Sequence, residues 1–145
     1  ELLTSIGISG SLINHSEKRI PFNQIEDLVK KFKELNLFSL VCAQTVDEVK
    51  LISKLDPDLI AIEPPELIGS GRAVSKVNPN IITESVNAGN SVNSNVDILC
   101  GAGIMNSDDV EIALKLGSKG ILIASGVVQS DNWNKKIREL ISAFI

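Results

Sequence analysis

Tyrosine is absent from this 145-residue sequence, aromatic residues make up only 3% of it, and it has one histidine, one tryptophan, one methionine and two cysteines. A single histidine, His15, excludes any multi-histidine metal site. Cys42 and Cys100 each end an apolar run, which reads as two buried free thiols rather than a disulfide or a metal pair. No apolar stretch approaches the roughly 18 residues of a membrane-spanning helix, and no signal peptide opens the chain. There is no run of Lys and Arg. With 14 basic against 18 acidic residues and a net charge of −4, nucleic acid and anionic membrane are poor partners. Linkers, repeats and low-complexity tracts that would mark a second domain are missing too. These absences lead us to expect a cytoplasmic, single-domain protein without a multi-histidine metal site.

What is present suits a globular core: 43% of the residues are hydrophobic and 22% charged. The chain starts with Glu1 rather than Met, and its opening "ELLTSIG" has the look of a helix already under way, so a fragment of a longer polypeptide is expected. Short continuous apolar runs at 8–14, 37–43, 58–63, 96–100 and 120–124 suit strands of a parallel sheet, buried on both faces. Amphipathic segments lie between them. Ile25, Leu28, Val29 and Phe32 form one stripe, with Asn23 and Glu26 as an expected capping box and Asn36 as the left-handed stop. Thr45 and Glu48 open a second helix to about Leu55. Pro79 starts a third, the least secure because "SVNAGNSVNSN" is rich in Asn, Ser and Gly. Asn106 or Ser107 opens a fourth, which Gly117 closes, and a last helix runs from about Asp131 with Trp133, Ile137, Leu140, Ile141 and Phe144 on one stripe. Such a βαβαβαβαβα pattern gives a parallel α/β sheet, either doubly wound or part of a (β/α)8 barrel. At about 29 residues per unit, eight units reach about 230, close to the roughly 250 of a barrel. No G-x-G-x-x-G follows the first strand, which weakens the doubly wound dinucleotide-binding alternative.

Parallel α/β folds place their sites at the C-terminal ends of strands. Those ends read "INHSEKR", "VCAQT", "AIEPPELIGSG", "LCGAGI" and "IASGVV". A lone histidine such as His15 is more often a structural hydrogen-bonder than a catalyst, and Glu63 alone could simply cap its loop. As a pair, they end strands separated by one other, roughly 10 Å apart at the backbone. An imidazole and a carboxylate across that gap leave room for a molecule of a few atoms and could shift a proton beside a small carbonyl. Pro64 restricts Glu63 to extended backbone, and the segment between Pro64-Pro65 and Gly69-Ser70-Gly71 could fold over a ligand as a lid. "GAG" (101–103) and "ASG" (124–126), with no Lys or Arg nearby, favour phosphate held by backbone N–H groups.

"LINHSEKR", "AIEPPELIGSG", "LCGAGI" and "GILIASGVV", in that order, resemble the triosephosphate isomerase family, specifically its shorter archaeal type. The resemblance covers the whole chain and implies strands 4 to 8 of the barrel, residues 1–145 being the C-terminal portion of one domain. It makes His15 the electrophile at the carbonyl, Glu63 the base and Glu17 a supporting glutamate, and gives Ile68, Gly69, Gly103, Ala124 and Ser125 the substrate phosphate. It implies no metal or cofactor, a small phosphorylated triose as substrate, neither nucleic acid nor membrane as partner, and a homo-oligomer, tetrameric as in the archaeal family. The family's Asn-x-Lys at the end of strand 1 has no counterpart here; Lys18 and Lys76 lie in segments that do not match it. The chain alone is therefore expected to be inactive. Two other readings remain at this point: another phosphate-binding barrel enzyme, an epimerase or a synthase, or a non-catalytic half-barrel that binds phosphate or a partner chain.

Overall fold

The computed structural model describes residues 2–145; Glu1, the first residue of the expected helix tail, lies outside them. After the short helix α1 (Leu2–Ser5), strands β1 (Gly10–Ile13), β2 (Phe38–Ala43), β3 (Leu59–Ile62), β4 (Asp97–Cys100) and β5 (Gly120–Ile121) alternate with helices. These helices are α2 (Phe22–Glu34), α3 (Val46–Ser53), α4 (Val74–Val77), α5 (Pro79–Val92), α6 (Ser107–Lys115), α7 (Ser125–Val128) and α8 (Trp133–Ile141). The strands pair in parallel and in sequence order, β1-β2-β3-β4-β5. A doubly wound sheet reverses its order at a switch point. No reversal occurs among these strands, so the winding is that of a barrel.

Side chains alternate between the two faces. Val41, Ala43, Ile60, Ile62 and Ile98 point to the helical layer and pack with Ile25, Val29 and Phe32 of α2 and Val49 and Ile52 of α3. Burying such a side chain contributes roughly 1.5–3 kcal/mol. Ile82, Cys100, Val110, Ala113 and Leu140 continue that layer around α5, α6 and α8. The opposite face carries Leu40, Cys42, Leu59, Ala61, Leu99 and Leu122. Leu12 on the β1 edge belongs to neither cluster and is 44% exposed.

Several helix ends differ from expectation. Asn23 does not cap α2: the helix begins at Phe22, and the Pro21 carbonyl accepts from the Gln24 and Ile25 N–H groups, with no side-chain cap. At α3 the Glu48 N–H donates to Thr45 Oγ1, but the Glu48 carboxylate accepts from the Gln44 N–H rather than that of Thr45. Asn106 and Asp109 form a reciprocal capping box on α6, and Asn36 and Gly117 take positive φ as stops. β5, at the sheet's edge, pairs only over Gly120–Ile121, shorter than the expected 120–124. Trp133, Ile137, Ile141 and Phe144 of the last stripe stay exposed, and only Leu140 is buried.

Candidate active site

The register aligns Ala43, Ile62, Cys100 and Ile121 in one row at the C-terminal ends of β2 to β5. Glu63 follows that row. Leu59 and Ala61 face inward, so parity turns Glu63 inward too, and its N–H donates to the Ala43 carbonyl at 2.7 Å. The side chain is 2% exposed, and Oε2 has no hydrogen-bond partner. Burial raises its pKa above the usual carboxylate value; the nearby imidazole, the Cys42 thiol, Arg19 and the Ser16 N–H pull it back in part.

His15 follows Asn14, whose φ of 60° turns the chain sharply out of β1. That turn is held on both sides: Asn14 Nδ2 donates to the Cys42 carbonyl (2.9 Å) and Oδ1 accepts from the Ile20 N–H (3.1 Å). Arg19 Nη1 donates to the carbonyls of Asn14 (2.9 Å) and Cys42 (3.3 Å). His15 Nδ1 accepts from the Glu17 N–H at 3.4 Å, which leaves the ring proton on Nε2. Nε2 points at Glu63, 3.7 Å from Oε1. The gap expected between the two side chains is therefore closed, and a ligand must sit beside the pair. Glu17 acts through its backbone here: its carboxylate is 89% exposed and 3.8 Å from Nδ1, beyond hydrogen-bond distance.

A cavity of about 490 Å³ brings the candidates together: His15, Glu17, Glu63, Ile68, Gly69, Gly103, Ala124 and Ser125 all line it. None of its lining residues is Lys or Arg. Among the described residues no group of three or more His, Cys, Asp or Glu side chains is placed to hold a metal ion. Ile68, 37% exposed, and Gly69 sit on the segment after Pro65–Leu67, a single 3-10 turn anchored by the buried Leu67. Gly103, at φ 71°, lies so close to the Arg72 carbonyl that a Cβ there would come within 2.0 Å of it. Ala124 and Ser125 form the start of α7, where the first N–H groups of a helix lack intrahelical acceptors.

Besides Arg19, two supporting residues escaped the sequence reading. Cys42 lies under Glu63, and burial together with that carboxylate pushes its thiol far up, so it is inert. Its inward parity beside Leu40 was the available signal. Gly101 was read only as phosphate-loop glycine, yet a Cβ there would meet Glu63 Cγ at 2.6 Å. It is glycine because the catalytic-site candidate needs its space. Cys100 is the expected buried thiol, pushed up to about 12 by burial.

Comparison with known proteins fits this geometry. The family described as triosephosphate isomerase matches residues 1–142. Triosephosphate isomerases of Methanocaldococcus jannaschii, Cenarchaeum symbiosum and Archaeoglobus fulgidus are 48%, 49% and 44% identical over 97%, 99% and 97% of this chain. The chain spans only 64%, 64% and 63% of those relatives' own lengths. Among solved structures, thiamine phosphate pyrophosphorylase from Pyrococcus furiosus superposes with a TM-score of 0.70 at 20% identity, over 98% of this chain and 62% of that one. An archaeal fructose 1,6-bisphosphate aldolase gives 0.65 at 17%, over 98% and 60%. These two share the fold alone. Strand order, the strand-end motifs and the family match over nearly the whole chain agree that this chain belongs to the triosephosphate isomerase family.

Proposed function

We propose that the gene product carrying this chain interconverts dihydroxyacetone phosphate and D-glyceraldehyde 3-phosphate, residues 1–145 supplying strands 4 to 8 of one (β/α)8 domain. Glu63 takes a proton from C1 of the ketose as His15 Nε2–H stabilises the oxygen on C2. The resulting enediolate receives a proton from Glu63 at C2, and the oxygen-bound proton passes from O1 to O2 beside His15. Atoms and electrons balance within the substrate, so the step calls on neither metal nor cofactor. The backbones of Ile68, Gly69, Gly103, Ala124 and Ser125 hold the phosphate, and Glu17 fixes the His15 ring.

The observation that carries this reading is the buried Glu63 carboxylate, with one unpartnered oxygen, 3.7 Å from His15 Nε2 in the cavity. A dianionic substrate beside a carboxylate also needs a cation, and no lining residue supplies one. The reading assigns it to a lysine on the first strand of the barrel, outside these residues. The protein works in the cytoplasm on a small phosphorylated triose and assembles as a homo-oligomer, tetrameric as in the archaeal family. Its acidic balance, and the absence among the described residues of a helix long and apolar enough to cross a membrane, argue against nucleic acid and membrane as partners. The test is conversion of dihydroxyacetone phosphate in deuterated water by the full gene product. Deuterium at C2 of the aldose is expected. Substrate recovered without isomerisation would contradict the proposal.

A further inference from the structure

The segment that follows the lid is bound to the far side of the site by contacts that isomerisation chemistry does not require. Lys76 Nζ lies 2.6 Å from Asp109 Oδ1. The other oxygen of that carboxylate accepts from the Met105 (2.9 Å) and Asn106 (3.2 Å) N–H groups, at the end of the loop after β4. Asp109 is only 3% exposed, and its carbonyl accepts from the buried Ser75 hydroxyl at 3.0 Å. At the start of the same loop the Val74 N–H donates to the Ala102 carbonyl at 3.2 Å, and the Arg72 backbone rests against Gly103. Residues 72–76 therefore grip the loop at both ends, while Gly101, Gly103, Ile104 and Met105 line the cavity between.

By contrast, the hydrogen bonds of Leu67–Arg72 are local: Ser70 Oγ donates to the Leu67 carbonyl and accepts from the Arg72 N–H. Gly69 and Gly71, at φ 66° and 68°, lie within that stretch.

We infer that Lys76 and Asp109 are positioning residues that fasten the C-terminal base of the lid to the loop 101–106, so that lid base and phosphate cradle keep one geometry. The cradle half of this statement rests on the proposed function; the fastening does not. Two substitutions separate it from a general field effect. Lys76→Met removes a half-exposed cation, and Asp109→Asn keeps an acceptor for the α6 cap while removing the charge. A field acting through space would weaken anion binding in the first and strengthen it in the second. Loss of fastening weakens it in both.

The experiment measures amide hydrogen exchange at residues 101–106 and binding of inorganic phosphate in the full gene product. With Lys76→Met, exchange at 101–106 should quicken at least tenfold, and Lys76→Arg should restore it. Both Lys76→Met and Asp109→Asn should weaken phosphate at least threefold. Unchanged exchange in Lys76→Met, or phosphate affinities that move in opposite directions, would overturn the inference. If the parent protein binds no phosphate, the proposed function fails, and the exchange result alone decides the fastening.

Discussion

Burial keeps the Glu63 carboxyl protonated above its ordinary value of 4.5. Between 4.5 and the raised value the folded chain holds a proton that the unfolded chain has released. Stability therefore falls as pH rises through that window, and the loss is complete above it. Glu63→Gln removes the titration. Its melting temperature should exceed the parent's at pH 7, and the gap should narrow as the pH approaches 4.5; a gap independent of pH would show the carboxylate is not desolvated. The same substitution removes the base, so kcat should fall about 10²–10⁴. KM should change little, because the phosphate contacts remain. An unchanged kcat would exclude Glu63 as the base. Gly101→Ala tests the space beneath it: the added methyl should cost about 1–3 kcal/mol of stability. By displacing the carboxylate it should lower kcat by up to about 10², and retained kcat would show that Glu63 does not depend on Gly101. His15 and Glu63 were legible because strand-end polarity and Pro64-Pro65 mark them locally. Arg19 was not, since its role arises from contacts with the Asn14 and Cys42 carbonyls across strands.

At the scale of elements, strand positions and most helix stripes were legible because a buried parallel sheet writes short apolar runs. The third expected helix looked weakest and became α5, the longest at 14 residues. Its Asn, Ser and Gly lower helix propensity, yet Gly89 lets the helix approach Ile98 and Ser53 so closely that an added Cβ would lie 3.0 Å from Ile98 and 3.6 Å from Ser53, and that packing overrides propensity. α2 resisted the reading at its start because a proline carbonyl, with no side-chain signature, closes its first turn. The α6 box was legible at its N-cap, and Asn106→Ala should cost about 0.5–2 kcal/mol by denaturant titration. No loss would mean that Asp109 alone holds that end.

The whole molecule leaves an open sheet. Among the described residues β1 and β5 each lack an outer neighbour, the inward Leu12 is exposed, and Trp133, Ile137 and Ile141 of α8 stay exposed, as does Phe144 just beyond it. The part of the relatives that this chain does not span, about a third of their length, would suffice for about three βα units and so to close a barrel over these surfaces. The sequence pointed to this arrangement through motifs alone, since local patterning carries no record of which strand closes a barrel. Open apolar edges pair with other chains. Residues 1–145 alone should therefore self-associate in size-exclusion chromatography with light scattering; a monodisperse monomer would contradict the open-edge reading. The most direct measurement is a coupled triose phosphate isomerase assay on these residues, alone and mixed with a polypeptide supplying the first three βα units. We expect no activity alone, activity on mixing, and its loss when the mixed chain carries Glu63→Gln. A soluble, active monomer of residues 1–145, or a mixture whose activity survives Glu63→Gln, would contradict the account.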